Sequence, residues 1–128
     1  MFEIIAYKGR TTDFSGSLYE SDGTTGVALA AEDVVRFKIG RGNATPDLDL
    51  ESGTVESNGS TVTVTSIVSP AAYTVRLAED DVTALTAGVY DCEVAVADDS
   101  ELAPANATKH VERGVLHVID TLGGDTGL

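Results

Sequence analysis

The sequence predicts an all-β protein, an antiparallel β-sandwich of about seven or eight strands. The composition favours strands joined by turns, because Val, Ala, Leu and Thr are abundant, glycine occurs 13 times and Trp is absent. Apolar and polar residues alternate in short runs, with turn signals about every 8–12 residues. Strands do not alternate with long helices, which excludes a parallel α/β sheet. A length of 128 residues fits one domain.

Four strands are predicted in the first half of the chain, at residues 2–7, 17–19, 34–41 and 47–50. The third is the most regular. Its residues Val35, Phe37 and Ile39 point to one face, and Arg36 and Lys38 point to the other. This alternation is typical of a strand with one face in the core.

Four further strands are predicted in the second half, at residues 61–68, 72–77, 89–97 and 111–119. Residues 79–85 are the one plausible helical stretch, about two turns long, with Asp80 or Asp81 as its N-cap. We predict a single domain over residues 1–122. A glycine-rich, flexible tail is expected at residues 123–128.

The chain is strongly acidic, which disfavours some classes of binding partner. With 21 acidic residues against eight Lys plus Arg, the formal net charge is −13. Such a surface repels phosphate backbones, so nucleic acid is not an expected partner. No apolar run is long enough to span a membrane, and the N-terminus lacks the pattern of a secretory signal. We therefore expect a protein made in a cytoplasm, with no membrane partner.

A structural motif precedes the penultimate strand. Leu85, Gly88 and Tyr90 have the spacing of a tyrosine corner, in which a tyrosine hydroxyl bonds back to the backbone of Greek-key sandwiches. Gly88 would permit the sharp approach. The Tyr-x-Cys ending at Cys92 echoes immunoglobulin domains, but no second cysteine exists to complete a disulfide. We interpret Cys92 as a small apolar core residue.

No constellation of catalytic residues is present, so we predict no enzyme and no cofactor. The two histidines, His110 and His117, occur in no hydrolase or metalloprotease motif. Acidic pairs could offer oxygen ligands, yet none lies in a calcium-binding loop pattern, and we interpret them as a solvated face. These pairs are Asp47/Asp49, Asp80/Asp81 and Asp98/Asp99.

The terminal strands are apolar on both faces, whereas a sandwich strand needs only one apolar face. Two interpretations remain open. The strands are deeply buried, which we favour, or a neighbouring subunit completes their outer surface. Under the second interpretation the candidate interface residues are Phe2, Ile4, Ile5, Tyr7, Val115, Leu116, Val118 and Ile119.

A series of short motifs follows in a fixed order along the chain. The motifs are Gly9, Asp13-Phe14, the Asp22-Gly23 turn, residues 34–39, Leu48 with Leu50, residues 73–77, Leu85, Gly88 to Tyr90, Glu93-Val94, residues 112–115 and Val118. In this order they resemble the small immunoglobulin-like virion proteins of tailed viruses and are similar to the N-terminal domain of phage baseplate upper proteins. The likeness spans about residues 7–120, and it departs from the family at 27–33 and in lacking a long C-terminal extension.

This resemblance implies a virion structural protein, assembled in the host cytoplasm, that binds other virion proteins in many copies or as a homo-oligomer. We expect a tail or baseplate component or an appendage adaptor. A head (capsid) decoration protein is the alternative within that class. A carbohydrate-binding surface module, whose signal peptide was removed, is the alternative from another class, although four Tyr, three Phe and no Trp offer few stacking platforms.

Overall fold

The computed structural model describes residues 2–41, 46–54, 56, 58–97 and 108–120, and the tail predicted at 123–128 lies outside them. Two β-sheets and one short helix make up the described structure. The strands are β1 (Phe2–Tyr7), β2 (Thr12–Ser17), β3 (Val34–Gly40), β4 (Leu48–Glu51), β5 (Thr61–Ser66), β6 (Ala72–Leu77), β7 (Gly88–Ala97) and β8 (Thr108–Ile119), and the helix is α1 (Glu79–Ala84).

The strand order identifies the architecture. One sheet has the order β1-β8-β7-β3-β4 and the other has the order β2-β6-β5. Strands β2, β6 and β5 correspond to B, E and D of an immunoglobulin-like sandwich, while β8, β7, β3 and β4 correspond to G, F, C and C′. The predicted immunoglobulin-like β-sandwich is therefore confirmed, with eight described strands.

One part of that prediction is wrong, because the sheets are not wholly antiparallel. Strand β1 pairs with β8 in parallel, with Phe2 opposite Gly114 and Tyr7 opposite Ile119. Antiparallel neighbours commonly follow from a hairpin, but nearly the whole domain separates β1 from β8. After β1 the chain crosses to the other sheet, where β2 pairs with β6.

The second strand is also displaced from its predicted position at 17–19. Strand β2 covers Thr12–Ser17, and Tyr19 makes only an isolated bridge with Gly26. The half-buried positions of β2 are Thr12, Phe14 and Gly16, so only one of them is a large apolar residue. The alternation is too weak for the sequence to reveal this strand.

The core lies between the two sheets. Val35, Phe37 and Ile39 of β3 are fully buried, as the alternation predicts, and Tyr73 and Val75 face them from β6 as part of the same cluster. Truncating a buried aromatic of this kind to alanine typically costs about 3–5 kcal/mol.

Helix α1 is not capped as predicted. Its N-cap is Ala78, which makes no side-chain cap bond, and both predicted caps lie in the first turn. Asp81 instead accepts hydrogen bonds from the Asn58 side chain at 2.9 Å and from the Ser60 hydroxyl. The buried Ser60 oxygen also accepts from the Ala78 amide at 2.8 Å. Asp81 thus ties the helix to the start of β5.

Candidate binding surface

The predicted tyrosine corner is present: the Tyr90 side chain bonds back to the connection between α1 and β7. The Tyr90 hydroxyl donates a hydrogen bond of 2.6 Å to the Thr86 carbonyl, and the Tyr90 side chain is buried. Gly88 has φ +147°, a conformation that side chains rarely adopt, and Leu85 is buried beside the core. Arg41 lies over the Tyr90 ring, with its guanidinium carbon 4.3 Å from the ring centroid. The corner fixes how β7 enters its sheet.

Half of the candidate interface residues belong to the core of the single chain. Ile4, Leu116 and Val118 are at most 4% exposed, so they cannot meet a partner while β1 and β8 stay in place. Phe2 is half-buried and packs against Phe14, with 5.2 Å between ring centroids. For these four residues the burial interpretation describes the structure.

The other candidates point outward from the same two strands. Ile5, Tyr7 and Ile119 are 50%, 42% and 39% exposed, and Val115 is half-buried. Ile5 lies opposite His117 and Tyr7 lies opposite Ile119. The inner face of β1 and β8 therefore completes the core, while their outer face exposes apolar side chains to solvent.

Val89 adds a third strand to this surface. It is 58% exposed and lies opposite His117 from the other side, so His117 sits between Ile5 and Val89 in one row across the sheet. Neighbouring strands are about 4.8 Å apart, which brings these side chains together. We call Ile5, Tyr7, Val89 and Ile119 the outer-face patch.

Val89 is the residue that sequence analysis missed. The sequence predicts Val89 as the first residue of the strand at 89–97, whose inward face carries Tyr90 and Cys92, but does not by itself assign Val89 to a binding surface. Alternation places it with Asp91 and Glu93 on the solvent side, and an apolar residue at that position was the available signal. Clustered exposed apolar side chains mark interaction sites more often than single ones do.

Polar and charged side chains lie within and beside the patch on the same face of the sheet. His117 Nε2 lies 2.7 Å from a Glu3 carboxylate oxygen. Further along, Arg113 lies 3.6 Å from Glu93, and Lys38 is directly opposite Glu93 on β3. The patch therefore combines exposed apolar side chains with one polar side chain among them, His117, and with charged residues further along the sheet, a mixture also found in protein–protein interfaces.

The remaining chemistry-bearing residues do not converge on a second site in the part of the chain that the structure describes. No group of three or more His, Cys, Asp or Glu side chains there could hold a metal ion, and the Asp98/Asp99 pair lies outside it. Cys92 is buried, and burial raises the pKa of its thiol to about 12, with a smaller contribution from Asp91. A thiol in this state is a poor nucleophile.

Among the described residues, no helix has the length and apolar character required to cross a membrane.

Comparison with known proteins leaves the chain without an assigned family. No family model and no curated protein matches it. Among solved structures it is similar to a chain from a study of "multimeric cell-adhesive interactions of VGSC beta subunits", with a TM-score of 0.46 and 11% identity over 92% of this chain and 91% of that one. At that level of similarity the fold assignment rests on the strand order described above.

Proposed function

We propose that the chain is a virion structural protein of a tailed virus that docks on neighbouring virion subunits through the outer-face patch. The observation that carries this proposal is the cluster of exposed apolar side chains across three strands, at up to 58% exposure for Val89. A rigid sheet presents these side chains in fixed positions, which limits the conformational entropy lost on binding. The order of short motifs, which resembles that of tailed-virus proteins, supports the virion assignment.

The station on the particle is a separate part of the proposal. We propose a tail or baseplate component or an appendage adaptor, with a head decoration protein as the alternative. In both roles many copies of the chain bind neighbouring virion subunits, and the outer-face patch can provide the contact in either role. Imaging of bound particles distinguishes them.

A carbohydrate-binding module is less well supported by the positions of the exposed aromatics. Tyr7 and Tyr19 are 42% and 37% exposed. Tyr7 lies opposite Ile119, whereas the Tyr19 amide bonds to Glu112, seven residues earlier along β8. At about 3.3 Å per residue, the two positions on β8 that these tyrosines contact are roughly 23 Å apart, which does not favour one shared stacking platform.

The proposal is tested by co-sedimentation of the purified chain with virus particles that lack it. Val89→Asp places a charge in the patch, and burying an unpaired charge is costly, so we expect particle affinity to fall at least tenfold. Val68→Asp is the matched control, because Val68 is 73% exposed and lies in the connection between β5 and β6, outside the patch. It should bind as the wild type does.

Two results would overturn the proposal. Val89→Asp binding with wild-type affinity would remove the patch from the interface. A wild-type chain that ignores particles but binds a glycan array would replace the virion role with the carbohydrate-binding alternative. Circular dichroism of each variant establishes that its fold is intact.

A further inference from the structure

Strand β5 differs from the other three edge strands in carrying no charge. The edges of the two sheets are β1, β4, β2 and β5. Strand β1 carries Glu3, β2 carries Asp13, and β4 carries Asp49 and Glu51, whereas β5 reads Thr-Val-Thr-Val-Thr-Ser. No charged residue occurs anywhere between Glu56 and Arg76 in a chain of net charge −13. Charges on edge strands prevent sheets from pairing edge to edge, and β5 lacks this protection.

No described strand pairs with the outer edge of β5. An exposed groove of about 610 Å³ runs beside it, with Val62 and Val64 of β5 on one side. The other side is lined by residues before and at the start of β3 and after β4, which include Glu32, Asp33 and Ser52. Alternate residues of an edge strand direct both N–H and C=O away from the sheet. Because β6 is the only described strand paired with β5, these groups face the groove and solvent.

The sequence of β5 is self-complementary in antiparallel pairing. In a two-fold dimer, pleating allows only side chains on the same face of the sheet to oppose each other. Whether the axis passes through Val62 or Thr63, threonines oppose threonines and valines oppose valines. Cross-strand pairs of β-branched residues and of threonines are stabilising. A bulge between Val64 and Ser66 disturbs only the end of the strand.

The absence of charge on β5 limits the electrostatic repulsion between two copies at this contact. Two copies of a chain with net charge −13 repel each other, and the repulsion is weakest where the facing surfaces carry no charge. Strand β5 itself carries no charge, and the acidic residues that line the groove beside it, Glu32 and Asp33, precede β3. The exposed Thr63 of β5 contributes a neutral side chain at the centre of the strand.

We propose that β5 pairs in antiparallel orientation with β5 of a second copy of this chain, so that two three-stranded sheets become one six-stranded sheet. This interface is separate from the outer-face patch and does not depend on a virion role. Contacts of one strand with another are small, so the dimer is expected to be weak and concentration-dependent.

The experiment is sedimentation velocity of the full chain over a wide concentration series. The wild type should shift from monomer to dimer with increasing concentration. Thr63→Lys places like charges at the two-fold contact and should weaken the dimer at least tenfold. Thr74→Lys is the matched control, because Thr74 is the cross-strand neighbour of Thr63 on the central strand β6 and therefore not at the edge. It should dimerise as the wild type does.

A charge swap tests the pairing itself. An equimolar mixture of Thr63→Lys and Thr63→Glu chains should form heterodimers more readily than either variant forms homodimers, because opposite charges then meet at the contact. A wild type that stays monomeric throughout, equal behaviour of the Thr63→Lys and Thr74→Lys variants, or no gain on mixing would overturn the proposal. Val89→Asp should dimerise normally, which separates this result from that of the particle-binding test.

Discussion

The hydroxyl of Tyr90 donates a 2.6 Å hydrogen bond to the backbone carbonyl of Thr86, four residues earlier. This bond spans the connection from α1 to β7. Gly88, which lies between Thr86 and Tyr90, has φ +147°. Strand β7 contributes both Cys92 to the core and Val89 to the outer-face patch. The tyrosine corner therefore holds in place β7, the strand that carries Val89 of the proposed interface.

Removing that hydroxyl should destabilise the fold without changing the core. Tyr90→Phe loses one part-buried hydrogen bond and leaves the Thr86 carbonyl without this donor, so the free energy of unfolding should fall by about 1–2 kcal/mol. Urea denaturation measures the change. Tyr19→Phe is the control, because Tyr19 is 37% exposed, and its stability should stay close to that of the wild type. Equal stabilities of Tyr90→Phe and wild type would argue against the corner.

Gly114 is required for β1 to dock on β8. A Cβ at Gly114 would collide with the carbonyl oxygen and the ring of Phe2. Gly114→Ala should therefore displace the start of β1 and cost about 1–3 kcal/mol, in line with overpacked sites. We expect faster proteolysis near the N-terminus, measured by mass spectrometry.

Gly40→Ala is the control for that change. Its new methyl group would have its nearest contact at 3.4 Å, from the Pro46 Cα, so its effect should be smaller. If Gly114→Ala and the wild type were equally resistant to proteolysis, the tight contact between β1 and β8 would be contradicted.

Stability should fall at high pH because of Cys92. Burial raises the pKa of its thiol from about 9 to about 12, so between these values the unfolded chain loses a proton that the native chain retains. The free energy of unfolding then decreases with rising pH, by up to about 1.4 kcal/mol per pH unit from this group. Burial also raises the pKa of Tyr73, which adds to the loss above its ordinary value of 10.

Cys92→Ala isolates the contribution of the thiol. The variant should lose stability less steeply than the wild type between pH 9 and 12, as measured by urea denaturation at each pH. Identical slopes for the two proteins would show that the thiol ionises equally in the native and unfolded chains.

Asp22 should cause a loss of stability at low pH, whereas Cys92 causes one at high pH. Hydrogen bonds from the Thr25 hydroxyl at 2.5 Å and from the Thr25 and Thr24 amides at 2.8 Å lower its pKa to about 2. The stabilisation is present above pH 4 and is lost as the pH falls through 2. Asp22→Asn should be less stable than the wild type at pH 7, and the difference should vanish near pH 2. A difference that persists unchanged to pH 2 would contradict this role.

The parts of the fold that the sequence predicts well have strong local signals. Strands β3 and β6 follow regular alternation, and Leu85, Gly88 and Tyr90 stand in the spacing that the corner bond requires. Strand β2 was misplaced because one Phe14 among Thr, Ser and Gly is a weak pattern. The parallel pairing of β1 with β8 joins the two ends of the domain, and no local pattern encodes it.

The candidate surface is predicted only in part from the sequence, because it too depends on strand pairing that no local pattern encodes. Apolar residues on both faces of β1 and β8 led to two alternative interpretations, and each describes one face of these strands: Ile4 is buried, whereas Ile5 is 50% exposed. Val89 joins Ile5 only through the register of three strands around His117. Such a row becomes visible once pairing is known, because its members are far apart in sequence.

The most direct test of the proposed function is an electron cryomicroscopy map of virus particles saturated with the purified chain. We predict that the domain is bound with Ile5, Tyr7, Val89 and Ile119 against a neighbouring virion subunit, with tail or head contact read from the same map. Particles without added density, or a bound domain whose outer-face patch faces solvent, would contradict the proposal.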